Sequence, residues 1–479
     1  MMAMRCVLAS ALVGFAALAA AQPDNCPNYA HYSSRRNEPP SIGRHKLAYQ
    51  RPTEQCRTFT APIIEETIKR VKGAIADPDL ARLFENTFPN TLDTAIRWTG
   101  LAENTTDEEL TFIITGDIPA MWLRDSANQL QPYAPLLTAE KNDTLAALFR
   151  GAINLQARYM TMDAYCNAFQ APAESGISPQ INAVDTVFPG YDLQAIYQCS
   201  YQLDSLAAFL QLSVDYHNAT SDTAFFGKHN WVAAVDAVMK VAIDMMEPTY
   251  ESDATPRKPP YTFVYCVGYL ANSGVGNPVN AGAGLIRSAF RPSDDPCIYQ
   301  YFIPANMMFA TYLGRAAEIM TAHNRTLAER MNTLSASVRE AIERHGIVNH
   351  PIYGRMYAYE VDGYGSVNIM DDANTPSLLS APMHGYMDAR NQVYKNTRKM
   401  VLGKGNPYWN EGPLIHGVGS PHTGLGMTWP MASIVRIMTS DDDTEISEVL
   451  AMLVRSTDGL GLMHESVSPQ NAGKWSRQW

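Results

Sequence analysis

Little in this chain ties it to a membrane, a nucleic acid or a metal ion. Past an apolar run from Cys6 to Leu18, none of its 479 residues form a stretch long enough to span a bilayer. Its 37 Lys and Arg are outnumbered by 48 Asp and Glu, giving a formal net charge of −11, and they form no cluster. A nucleic-acid or anionic-membrane binder would show a basic patch, so neither partner is expected. CxxC and HxxxH spacings are missing, which removes the common zinc arrangements. Gly/Ser linkers and low-complexity runs are also missing, so nothing beyond the first 62 residues divides the chain. Strand and helix signals do not alternate regularly, and a parallel α/β sheet is disfavoured.

What is present begins with an export signal. Arg5 supplies the basic start, Cys6 to Leu18 the apolar centre and Ala19-Ala20-Ala21 a small-residue cleavage site, so residues 1–21 read as a signal peptide. Six cysteines remain after it: Cys26, Cys56, Cys166, Cys199, Cys266 and Cys297. An even number in an exported chain suggests disulfides, with the pairing left open. Asn104, Asn142, Asn218 and Asn324 each open an N-x-Thr sequon, as on a glycosylated surface. These features predict a secreted protein. Residues 22–62 are polar and rich in Pro, Arg and Asn, and read as an N-terminal arm ahead of one domain over 63–479.

Helical periodicity dominates that domain. Apolar residues recur every three or four positions over 62–76, 146–159, 193–216, 231–246, 305–345, 394–401, 428–438 and 444–453. The fifth segment is too long for one ordinary helix and should break near His323-Asn324-Arg325. Strand signals are local, at 111–115 and 356–360. The expected class is all-α: helices joined by long loops, as in an (α/α) barrel whose loops at one end surround a pocket.

The densest chemical signal is TGDIPAMWLRDSANQ, from Thr115 to Gln129. Burial explains Ile118, Ala120, Met121 and Leu123. It does not explain Asp117, Trp122, Arg124 and Asp125 among them, because charged groups enter cores only when paired or binding something. A plain helix entrance with a surface Arg–Asp pair is the simple alternative. An indole beside a guanidinium and carboxylates also suits a sugar, which offers C–H faces to a ring and hydroxyls to charged partners.

Two further loops carry doubled acids. In RPSDDPC, Asp294 and Asp295 follow Arg291, and adjacent carboxylates favour keeping one protonated, as a general acid requires. The same residues could form a polar capping turn. Asp371-Asp372-Ala373-Asn374 reads either as pocket wall or as an Asx turn, and lacks EF-hand spacing. His422 and the glycine-flanked Glu465 are weaker signals alone, as are Trp409 and Glu411.

Long blocks then carry a resemblance: AFRPSDDPCIYQYFIPANMMF (289–309), YEVDGYGSVNIMDDANTPSLLSAPMHGY (359–386), EGPLIHGVGSPHTGLGMTWPMASI (411–434) and GLMHESVSP (461–469). With the Thr115 segment they resemble glycoside hydrolase family 125, the exo-α-1,6-mannosidases, in a secreted fungal form. The resemblance implies a six-pair (α/α)6 barrel, an inverting mechanism, no metal or other cofactor, and mannose-containing glycans as partners of a monomer. It also implies Asp294 as general acid and Glu465 as general base, with Asp117, Trp122, Arg124, Asp125, Arg291, Asp371, Asp372 and His422 contacting sugar. Two departures stand out. Gln202 in SYQLDSL replaces a usual glutamate, and the chain stops at Trp479, where relatives continue through another helix. The competing readings are another (α/α)-barrel hydrolase, of glucoamylase or rhamnosidase type, and a non-catalytic secreted glycan binder.

Overall fold

A computed structural model describes residues 25–477 apart from 106, 139, 141–142, 183–184 and 266–269. The signal segment, Asn142, Cys266 and Trp479 lie outside the described residues.

The helices sort into two kinds by what they bury. Leu203–Thr220 and Ile303–Met320 are apolar on nearly all sides, with 14 of 18 and 15 of 18 residues buried, so they must be surrounded by protein. Arg325–His345 buries only 8 of its 21 residues, along one stripe, and presents the rest to solvent. Helix Ile303–Met320 packs between Leu203–Thr220 on one side and Arg325–His345 on the other. Thr144–Met162 likewise lies against both Leu203–Thr220 and Trp231–Asp244. Mostly buried helices backed by amphipathic ones give the layers of an α/α arrangement. A contiguous apolar core runs through them from Ala61 to Val435.

The long periodic segment does break where the sequence suggests. Asn324 follows the first helix and caps the second, its side-chain oxygen accepting from the Leu327 N–H at 3.0 Å. The segment beginning at 193 differs: its helix starts only at Leu203. Residues Ile196–Gln198 instead pair with Ala168–Phe169, and the Cys166–Cys199 disulfide clamps that pairing. Pro78–Thr87, Asn90–Thr94 and the short arm helix Tyr29–Ser33 lie outside the expected helical segments, and Leu123–Leu130 starts where the Thr115 segment allowed a helix entrance.

The molecule is helix-rich, as the sequence predicts, with short strands at its loops. Among the described residues, short strands pair into six antiparallel sheets of two or three strands each. Most are two to four residues long, too short for period-two alternation to register. They brace loops. Met121–Trp122 pairs with Ala168–Phe169, fixing the entrance to helix Leu123–Leu130. Phe290 and Pro296 bridge to close the RPSDD loop.

A second disulfide, Cys26–Cys56, joins the start of the arm to its end, and Cys297 is a buried free thiol. The arm is packed onto the body. Leu47 is fully buried, the Ala48 N–H donates to Gly459 O at 2.9 Å, and the guanidinium of Arg51 is buried between Asp93 and Glu65. No helix among the described residues is long and apolar enough to cross a membrane. Asn104, Asn218 and Asn324 are all exposed.

Candidate active site

One cavity of about 320 Å³ gathers most of the singled-out residues: Asp117, Trp122, Arg124, Asp125, Asp294, His422 and Glu465 all line it. They arrive from distant parts of the chain on loops that lead into buried helices.

The Thr115 segment supplies one wall. After the braced strand Met121–Trp122, the chain turns into helix Leu123–Leu130 and buries Arg124 in its first turn. Trp122 packs against Tyr197 with ring centroids 5.5 Å apart. Arg124 donates from Nη1 to Asp204 Oδ2 at 2.9 Å and to Gln202 Oε1 at 2.6 Å, and Nη2 lies 3.2 Å from Asp125. Burial opposes the Arg124 charge, yet Asp125, Asp204 and Asp294 together hold the guanidinium above its ordinary value. Burial likewise pushes Asp125 and Asp204 upward, with Arg124 pulling against it.

Gln202 stands at the N-cap position of helix Leu203–Thr220 but does not cap it. Its amide bridges instead. The carbonyl accepts from Arg124, and Nε2 donates to Asp294 Oδ1 at 2.5 Å. A chain of contacts therefore runs Asp204–Arg124–Gln202–Asp294. Asp294 sits at the tip of the RPSDD loop with φ 67°, a left-handed conformation that Asp tolerates better than most residues. The Asp294 N–H donates to Arg291 O at 2.9 Å, closing the turn beneath it.

Glu465 lines the same cavity and is 7% exposed. Ser476 Oγ donates to its Oε2 at 2.8 Å, and Arg477 donates to Oε1 from Nη2 at 2.9 Å and from Nε at 3.2 Å. Arg477 also reaches Asp117 at 2.8 Å, where the two side chains are 40% and 46% exposed at the rim. His422 lies 3.6 Å from Asp295, which pushes its imidazole above the ordinary value; Asp294 and Glu465 add to the effect. Asp295 itself is turned back to Ser293, whose hydroxyl donates at 2.7 Å.

Three of the expected sugar-contacting residues are not brought to the cavity wall. Arg291 is 3% exposed and donates to Glu360 Oε1 at 2.7 Å, so it fastens the acid loop from below. Asp371 is fully buried, accepting the Leu378 and Leu379 N–H groups at 2.9 Å each. Burial pushes its carboxyl up to about 8 against the pull of those amides. Asp372 accepts from the Asn374 backbone and from Ser420. Both aspartates stitch their own loop, and their neighbours Asn374 and Thr375 face the cavity instead. Trp409 donates to Glu411 at 3.0 Å in an exposed pair away from the site.

Of the 371–374 loop, Asn374 takes the pocket-wall place the sequence offered it, whereas sequence reasoning missed Asp204, Arg477 and, from the arm, Tyr29, Ala30 and Ser33. Asp204 was visible as an acid at the head of a strongly apolar helical segment. Arg477 and the arm residues sit in polar segments with no pattern to mark them.

A family model described as metal-independent α-mannosidase, GH125, matches residues 77–479. The chain belongs to that family. Schizosaccharomyces pombe has a relative, the meiotically up-regulated gene 157 protein, 48% identical over 462 residues, or 95% of this chain and 89% of that one. Among solved structures, a Streptococcus pneumoniae metal-independent α-mannosidase in a non-productive complex with α-1,6-mannobiose superposes with a TM-score of 0.77. It is 32% identical and covers 88% of this chain and 95% of its own. The protein is a glycoside hydrolase of the α-mannosidase class.

Proposed function

We propose that the protein is a secreted, glycosylated, inverting exo-α-1,6-mannosidase, built on six helix pairs, that removes terminal α-mannose from glycans. Asp294 is the general acid and Glu465 the general base. One observation carries the reading: two carboxylates remote in sequence line the same small cavity, each held by dedicated donors, with Trp122, Arg124 and Asp125 beside them. Inversion needs an acid to protonate the leaving oxygen and a separate base to activate water on the opposite face of the sugar. Gln202 occupies Asp294 Oδ1, so the transferable proton belongs on Oδ2. Ser476 and Arg477 aim the Glu465 carboxylate, which takes the proton from water as its oxygen bonds to the anomeric carbon. Breaking the glycosidic bond passes the electron pair to the leaving oxygen and the Asp294 proton with it.

Export is supported by the chemistry of the chain: two disulfides and three exposed sequons accompany the N-terminal signal. A panel of linkage-defined mannobioses tests the substrate reading, with the α-1,6 isomer cleaved fastest. NMR of the first-formed sugar should show β-mannose; initial release of α-mannose would reject inversion. The glycan-binder alternative predicts no turnover of any isomer.

A further inference from the structure

The family match begins at residue 77, yet the cavity is not built from the matched region alone. Tyr29, Ala30 and Ser33 of the arm line it as well. They belong to the short helix Tyr29–Ser33, which is fastened at several points. Tyr29 Oη donates to Gln50 O at 3.0 Å and accepts from Asn90 Nδ2 at 2.9 Å. Cys26, just before the helix, is tied to Cys56.

Exposure tells which end of the cavity this is. Arg124, Ser293, Asn374 and Glu465 are buried and form its floor. Ala30, Gly116 and the Asp117–Arg477 pair are exposed or half-exposed and form its rim. A terminal sugar with its reacting carbon between Asp294 and Glu465 occupies the floor, so whatever lies beyond the scissile oxygen leaves past the rim. We propose that the disulfide-tethered arm helix is a specificity element that contacts the sugar on the leaving-group side of the cleaved bond. This rests on the mannosidase reading above. The arm narrows the mouth with a small side chain, Ala30, where a larger one would obstruct that sugar and leave the floor alone.

The test compares two substrates of one enzyme. α-1,6-Mannobiose places a sugar at the mouth, whereas α-mannosyl fluoride has a single-atom leaving group and places nothing there. In Ala30→Trp, the ratio of kcat/KM for mannobiose to that for the fluoride should fall about tenfold or more. Should Ala30→Trp fail to fold, Cys26→Ser/Cys56→Ser, which removes the covalent tether of the arm helix while keeping every rim side chain, should lower the same ratio. A parent active on both substrates, with a ratio unmoved in the folded variant, would overturn the arm assignment alone. A parent that hydrolyses neither would overturn the mannosidase reading and this one with it.

Discussion

Arg124 is the residue on which the cavity's order most depends, and its removal should be felt in both stability and rate. Arg124→Met keeps an unbranched apolar stem and deletes the guanidinium with its charge. Asp204, which is 0% exposed, would then be left without its cation, and Gln202 would lose the 2.6 Å donor that orients its carbonyl. Stripping one partner from a buried ion pair typically costs about 3–5 kcal/mol, because the remaining charge stays desolvated and uncompensated. Urea unfolding followed by tryptophan fluorescence should show a loss of that order. The physical cause is separable from simple cavity damage. Asp204→Asn in the Arg124→Met background removes the orphaned charge, so the double variant should be less destabilised than the sum of the two singles, by about 0.5–3 kcal/mol.

The rate effect travels along the same contacts. With Arg124 gone, the Gln202 carbonyl loses its 2.6 Å donor and keeps the long 3.4 Å contact from the Ser205 hydroxyl, so the rotamer that aims Nε2 at Asp294 Oδ1 is held less firmly. Misplacing a catalytic group by about an ångström costs on the order of 10²-fold, so kcat on mannobiose should fall by that much in protein that is still folded. An Arg124→Met variant within about 1 kcal/mol of the parent, with additive behaviour in the double variant, would refute the argument that a buried charge network organises the site.

Other expectations follow from single groups. Asp294→Asn should damage turnover of mannobiose far more than that of an aryl mannoside with an activated leaving group, whereas Glu465→Gln should damage both alike; kcat/KM on the two substrates decides it. Asp371→Ala strips the acceptor from the Leu378 and Leu379 N–H groups, at about 1–3 kcal/mol for each buried donor left unpaired. Because Asp371 does not reach the cavity, KM of the folded variant should stay near the parent's; a large rise in KM would place the residue in sugar binding after all. His464 is stacked on Trp475 at 4.4 Å, and burial holds its imidazole down at about 4 rather than 6.5. The unfolded chain therefore takes up this proton first as pH falls, so stability is full above about 6.5 and declines toward 4, by at most about 3 kcal/mol. His464→Phe keeps the stack and should flatten the fall of Tm with pH across that window.

How much of this was legible in the sequence depended on whether a residue's surroundings are encoded near it. The break at Asn324 could be read because the cap, the charge and the change of periodicity fall within three residues. Arg124 and Asp125 could be read because charge amid Ile, Ala, Met and Leu has to be offset by a partner, and the partner turned out to be Asp204, eighty positions on. Doubled acids carry no such mark. Asp294-Asp295 and Asp371-Asp372 look alike in a string of letters, yet one loop turns Asp294 into the cavity through a left-handed backbone and the other turns both carboxylates onto neighbouring N–H groups and a hydroxyl. What separates them is backbone conformation, set by the Phe290–Pro296 bridge around the loop and by the Arg291–Glu360 pair, whose members are 69 positions apart. Arg477 and Ala30 are less legible still: each lies in a polar stretch without period, and each acquires meaning only because the fold carries the arm helix and the Arg477 segment to one rim.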